Sequence, residues 1–444
     1  MKYIYSHLTP PRILVLGFAS IIFIGSLLLS LPIASVNGTS LPYIDALFTA
    51  TTATCVTGLV VVDTGTYFTL FGQIVILILI QVGGLGFMTM ATLFAIFLKK
   101  KISLREKLIL QEALNQLSME GIIRLIRKVV MYSLIIETIG ATLFAIRWSF
   151  DMSFGKAVYF GIFHAVSLFN NAGMDLLGEY RSLTGYVSDP IINIVATSLI
   201  ILGGLGFVVL SDLIDYKKIK RLSLHTKVVL STTGGLLLIG TIVIFIFEFT
   251  NIKTLGSLNM TGKIFGSFFQ SVTPRTAGAN TLDIAGLRQA TQFFIILLMF
   301  IGGSPGSTAG GIKTTTFAIL VGALLAMYRG KEDITMFHFR LAKERIYKAL
   351  SLTIVALLLV ISVSMVLSAT QDYPFLMILF ETTSAFGTVG LSMGLTPHLT
   401  VLGKILIILT MFAGRLGPLT MAYALGNTKE KTLYRHPEGK VIIG

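Results

Sequence analysis

Long apolar stretches alternate with short Lys/Arg-rich segments along the chain. A hydrocarbon layer about 30 Å thick is crossed by about 20 apolar residues in a helix. Residues 12–31, 73–98 and 402–425 all satisfy that length. Between pairs of such runs lie shorter stretches rich in Thr, Ser, Phe and Gly, too short to cross alone. They suit a re-entrant helix that enters the membrane and returns as a loop. Irregular backbone survives at that depth only against water or protein.

The pattern predicts M1 helices near 11–31, 129–147, 228–249 and 349–369. It predicts short pore helices near 43–54, 155–169, 261–272 and 374–385, and M2 segments near 70–98, 190–216, 291–327 and 402–425. The expected fold is an all-α polytopic membrane protein. Four tandem M1–pore helix–M2 repeats surround a central pore, giving eight transmembrane helices plus four re-entrant pore helices. The repeats divide the chain at 1–98, 99–216, 217–328 and 329–444, the last with a cytoplasmic C-terminal tail. Only the third M2 is expected to be broken; the other three keep longer apolar continuity.

Two markers carry the repetition. The short stretches end on Gly58, Gly173, Gly278 and Gly390, spaced by 115, 105 and 112 residues. Phe48, Phe163, Phe268 and Phe380 fall ten residues before these glycines. The second marker follows each at a similar interval, at residues 83–86, 203–206, 302–305 and 414–417. A fixed order at a near-constant period signals internal repeats.

Composition agrees. Hydrophobic residues make up 54% and charged residues 13%, too little charge for the surface of a soluble domain of 444 residues. The single Cys55 excludes an intrachain disulfide. The first apolar run is too long for a signal peptide and lacks a small-residue cleavage site before Pro32, so it is expected to stay as the first membrane helix. The net charge is +14, and residues 99–128, 217–227, 329–348 and 429–444, with Lys2 and Arg12, hold 25 of the 35 Lys and Arg. The positive-inside rule places these segments, and both termini, on the cytoplasmic side of a multi-pass cell-membrane protein. Basic clusters spaced between membrane segments argue against nucleic acid as a partner; the partner is the lipid membrane.

A dehydrated cation needs oxygen ligands, and rings of backbone carbonyls supply them in potassium filters. Successive carbonyls turn to one axis only at φ/ψ values open mainly to glycine. The candidate filter is therefore Val56, Thr57 and Gly58; Asn171, Ala172 and Gly173; Thr276, Ala277 and Gly278; and Thr388, Val389 and Gly390, with potassium as the bound ion. The varied side chains before each glycine point to main-chain ligation. Arg275 is expected to brace the third loop from behind. Asp63, Asp175, Glu179 and Asp283 follow the filters on the outer side, as cation-enriching groups or ordinary loop carboxylates. His164 and Glu381 fit packing or hydrogen bonding better than metal ligation.

The third M2 carries Gly302, Gly303, Ser304, Pro305, Gly306, Ser307, Thr308, Gly310, Gly311 and Lys313. An interior glycine costs a helix about 1 kcal/mol and a proline about 3 kcal/mol. A regular helix is not expected here. A phosphate-binding loop is excluded because no strand precedes it. Lys313 and Arg415 lie within M2 segments and either oppose cation passage or meet a partner carboxylate or carbonyl, with Glu137 as one possible partner.

The four-fold M1–P–M2 layout, the filter glycines and the broken third M2 resemble the Trk/Ktr/HKT superfamily of potassium transporters over essentially the whole chain. Short termini make it most similar to the membrane subunits of bacterial Ktr systems. The resemblance implies that residues 302–313 form an intramembrane gating loop. It also implies a homodimer on a cytoplasmic ring of nucleotide-binding KtrA-type subunits. In this superfamily serine at the first filter glycine accompanies sodium permeation; Gly58 therefore favours potassium, with sodium coupling or weaker selectivity as the alternative. No cofactor is expected in the chain. An alternating-access carrier would need inverted repeats, whereas these are parallel. No HExxH, Ser/His pair or intramembrane carboxylate pair suggests an enzyme.

Overall fold

A computed structural model describes residues 9–97, 104–113, 121–417 and 420–421. In chain order the helices are α1 (Pro10–Ser30), α2 (Tyr43–Thr54), the single turn α3 (Thr64–Tyr67), α4 (Leu70–Leu85), α5 (Phe87–Phe97), α6 (Leu104–Ala113), α7 (Ile122–Trp148), α8 (Phe154–Phe169), α9 (Pro190–Leu205), α10 (Phe207–Ile219), α11 (Leu224–Glu248), α12 (Met260–Val272), α13 (Gln289–Phe300), α14 (Thr314–Tyr328), α15 (Lys343–Thr370), α16 (Phe375–Gly387) and α17 (Val401–Leu416). A small antiparallel hairpin, β1 (Thr335–Met336) with β2 (Phe339–Arg340), joins α14 to α15. It is the only paired sheet among the described residues, so the expected all-α class holds apart from this turn-sized element.

Among the described residues four helices, α1, α7, α11 and α15, are long and apolar enough to cross a membrane, and the bent pair α9 and α10 makes a fifth if it is one span. The outer faces of the four expose Phe23, Ile139, Leu238, Ile246, Leu358 and Met365. Inside, Thr49, Thr51, Thr52 and Thr54 of α2 and Thr382, Thr383 and Ser384 of α16 are buried. Soluble proteins bury such polar groups far less often than apolar ones. An apolar exterior around a hydroxyl-rich centre suits a lipid surround.

The packing closes on itself. Each of α2, α8, α12 and α16 lies against the long helix before it. The helix that follows reaches onward, α4 to α8, α9 to α12, α13 to α16, and α17 back to α2. Lys404 of α17 pairs with Asp45 of α2 at 2.5 Å, both mostly buried, and so ties the end of the chain to its beginning.

One expectation is corrected. The break is not confined to residues 291–327. The segment 70–98 is interrupted at Gly86 (φ +83°, ψ 130°), 190–216 at Gly206 (φ +93°, ψ 142°) and 402–425 at Gly417 (φ +87°, ψ 135°). At Gly206 the two halves bend by 101°. This backbone conformation is open essentially to glycine alone. The third segment differs in degree, with α13 and α14 separated by residues 301–313. Lys2, Lys99, Lys100, Lys101, residues 114–120 and the expected tail 422–444 lie outside the described residues.

Candidate functional site

The C-terminal ends of α2, α8, α12 and α16 run into four loops of one design. Two residues in each take a positive φ: Val56 and Gly58, Asn171 and Gly173, Thr276 and Gly278, Thr388 and Gly390. Thr57, Ala172, Ala277 and Val389, between them, do not. Alternation of hand is the backbone pattern that a row of carbonyls facing one side requires. The glycines were legible in the sequence; the left-handed residue two places earlier was not. Only Asn171 is a type that visits this region readily, and for a β-branched residue such as Val56 it costs about 1–3 kcal/mol.

The N–H groups are held at the back. Thr57 N–H donates to Thr52 O (2.8 Å), Ala172 to Ser167 O (2.7 Å), Ala277 to Thr273 O (2.9 Å) and Val389 to Ser384 O (2.8 Å). Hydroxyls add to this. Thr52 Oγ1 accepts from Gly58 N–H at 2.9 Å and Ser384 Oγ from Gly390 N–H at 3.1 Å. With the donors spent on the helices behind, the carbonyl oxygens are left for the front.

The loops meet head to tail. A Cβ on Gly58 would strike Ala172 O, one on Gly173 Ala277 O, one on Gly278 Val389 O, and one on Gly390 Thr57 O. Four carbonyls and four glycines thus interleave in a closed ring. The third loop is one residue tighter: Ala277 bonds back four residues, where the others bond back five. Correspondingly, the fully buried phenylalanine matching Phe48, Phe163 and Phe380 is Phe269, whereas Phe268, chosen by its ten-residue spacing, is only partly buried.

Residues 302–313 pack on the helix side of this ring. Ser304 N–H donates to Gly204 O (3.0 Å), Thr308 N–H to Gly203 O (3.3 Å) and Thr314 N–H to Gly303 O (3.0 Å), while Gly306 O accepts from Phe207 N–H (2.9 Å). The loop therefore borrows the groups freed by the break at Gly206. Pro305 O lies where a Cβ on Gly206 would need to be. Ser307 Oγ donates to Ser304 O at 2.7 Å. Thr308 Oγ1 donates to Phe169 O at 3.3 Å, at the end of α8. Gly310 abuts the Thr388 side chain and Gly311 the α-carbons of Gly302 and Gly387.

The two cations of this region are held by carbonyls. Lys313 Nζ donates to Ala309 O at 2.7 Å within the loop. Arg415 donates to Thr308 O in the loop and to Gly83 O and Gly84 O at the end of α4. Glu137 is not their partner: it accepts from Gln81 Nε2 (3.1 Å) and Asn170 Nδ2 (3.1 Å). Arg275 reaches Thr233 of α11 at 3.4 Å. The outer carboxylates shape turns: Asp63 accepts from Thr66 and Tyr180 N–H, Asp175 from Leu177 and Asp283 from Ala285, while Glu179 is exposed. Glu381 accepts from Ser392, Met393, Leu395 and Thr396, bracing the chain beyond Gly390, and His164 Nε2 accepts from Leu176 N–H. No group of three or more His, Cys, Asp or Glu is placed to hold a metal among the described residues.

Known proteins are similar to this chain in sequence, and a solved structure is similar in fold. Ktr system potassium uptake protein B of Bacillus subtilis (strain 168) is 47% identical over 98% of this chain and 97% of its own length. Potassium/sodium uptake protein NtpJ of Enterococcus hirae is 42% identical over 100% of this chain and 99% of its own length. The crystal structure of the potassium transporter TrkH from Vibrio parahaemolyticus superposes with a TM-score of 0.72 at 18% identity, over 93% of this chain and 83% of that one, a likeness of fold. The profile of the TrkH family of cation transport proteins matches residues 13–429. Spanned almost end to end by that profile, the chain belongs to the TrkH family of cation transport proteins and is a transporter, not an enzyme.

Proposed function

We propose that the chain carries potassium into the cell through a central pore. Eight spans and four re-entrant helices in four repeats, at 1–98, 99–216, 217–328 and 329–444, surround it, with both termini cytoplasmic. The closed ring of Thr57, Ala172, Ala277 and Val389 carbonyls against Gly58, Gly173, Gly278 and Gly390 carries this reading. Its oxygens replace the water that a potassium ion sheds. Val56, Asn171, Thr276 and Thr388 set the alternating backbone. The C-terminal ends of the four short helices add partial negative charge.

Residues 302–313 act as the gate. The loop sits on the helix side of the ring and is held by Arg415 and its own Lys313, so its release opens the path. The naming of the Bacillus relative as part of a Ktr system supports a further component beside this chain; the family resemblance puts it as a KtrA-type nucleotide-binding ring beneath a homodimer. A second reading, sodium permeation or sodium coupling, is supported by the name of the Enterococcus relative. Purified chain in liposomes decides between them: potassium should enter down its gradient without sodium, and sodium should permeate poorly. Potassium uptake that required a sodium gradient would move the assignment to the second reading. Absence of any cation flux from folded protein would refute both.

A further inference from the structure

Away from the ring, a groove of about 410 Å³ runs between residues 228–239 of α11, residues 317–326 of α14 and residues 329–337, which lead into and begin the hairpin. Its walls are mainly apolar, Leu236 and Ile239 from α11 and Phe317, Val321 and Leu325 from α14, with Thr232 and Thr335 adding hydroxyls. Ser231 also lines it, but its hydroxyl is spent on Val228 O at 3.1 Å. Gly235 keeps one wall open, since a Cβ there would meet nothing within 4 Å.

Charge gathers at one end. Arg329 and Lys331 line the groove, are exposed, and have no ion-pair partner among the described residues. Asp333, the acid on this rim, is paired with Arg340 at 3.0 Å. Tyr328, next to Arg329, is 88% exposed. An exposed tyrosine beside unpaired cations at a helix end is the composition of a membrane–water boundary.

We propose that this groove binds an acidic phospholipid of the cytoplasmic leaflet, one acyl chain lying along α11 and α14 and the phosphate between Arg329 and Lys331. The inference rests on the topology above, in which residues 329–348 face the cytoplasm. Apolar walls take the chain, and the two free cations take the anion. The site also touches the transport machinery. α14 begins at Thr314, directly after Lys313 and the glycine-rich loop, so an occupant that steadies α14 steadies the loop's downstream anchor.

Native mass spectrometry of the full-length purified chain, titrated with phosphatidylglycerol or phosphatidylcholine, tests this without measuring flux. A failure of the transport reading and a failure of this one are therefore distinguishable. The wild-type chain should retain phosphatidylglycerol selectively. Arg329→Gln with Lys331→Gln should weaken that retention by roughly thirtyfold, about the effect of two surface cations on an acidic lipid. Gly235→Leu, which fills the groove and spares the cations, should weaken retention of both lipids. Equal phosphatidylglycerol retention by all three proteins would overturn the proposal. So would displacement of the lipid by inorganic phosphate, which assigns the cations to a soluble anion. A change from dimer to monomer mass with lipid retention intact would overturn it too, by assigning the groove to a second copy.

Discussion

Gly390 lies so close to the carbonyl oxygen of Thr57 that no Cβ fits between them, and the last of the four loops therefore seats directly on the first. The other three junctions repeat the contact. A side chain at any of the four glycines must displace a carbonyl that belongs to its neighbour.

That geometry sets the expected behaviour of Gly58→Ser. The residue sits at φ +92° and faces Ala172 O. Holding a serine there costs about 1–3 kcal/mol, which the ring relieves by moving Ala172 O outward. Preference for potassium over sodium should fall by about tenfold, the equivalent of about 1.4 kcal/mol. Rubidium and sodium uptake into liposomes measures it; an unchanged ratio removes Gly58 from the filter.

Gly206→Ala tests the break in the second M2. Its φ of +93° excludes a side chain, and a Cβ would lie 2.7 Å from Pro305 O. Gly204 is the control, because it has no positive φ and its Cβ would meet only the Asn171 side-chain amide, at 3.4 Å. Gly206→Ala should destabilise the protein by about 1–3 kcal/mol and lower its melting temperature in detergent, whereas Gly204→Ala should be near neutral. Equal melting of both variants would mean that the backbone at Gly206 relaxes freely.

Those two sites show what the sequence could and could not convey. The long helices were legible because lipid imposes a length, and the ring because four glycines recur at one period. Gly86, Gly206 and Gly417 close the second repeat marker, but the breaks at them were not legible, because one glycine in an apolar run costs a helix only about 1 kcal/mol and composition does not separate a break from a tolerated residue. The adjacent Phe268 and Phe269 hid the tighter third loop, since either fits the spacing. The partners of Arg415 were invisible for a different reason: backbone carbonyls have no residue identity to search for.

The proposed membrane sidedness rests on the basic segments. Arg221→Cys and Phe337→Cys, both at exposed positions, should resist an impermeant thiol reagent in intact cells and react after permeabilisation. Asp372→Cys, exposed at the other end of α15, should react in intact cells. Cys55 is fully buried and should stay silent in every sample. Labelling of Phe337→Cys from outside would invert the repeat scheme.

The proposed gate depends on the contacts of Arg415, which joins Thr308 O to Gly83 O and Gly84 O. These link the glycine-rich loop to the broken end of the first M2, so losing the guanidinium frees the loop at its centre. Arg415→Ala should raise potassium flux several-fold with selectivity unchanged, because none of the ring residues is altered. Deleting residues 304–310 should raise flux further and loosen its dependence on a cytoplasmic regulator. The two changes act through one contact, so their combination should exceed the deletion alone by little, the non-additivity expected of groups in direct contact. Additive increases would mean that Arg415 opposes cations by its charge and not by holding the loop. Wild-type flux from a well-folded deletion protein, with and without its regulator, would make residues 302–313 a packing break and put the gate elsewhere.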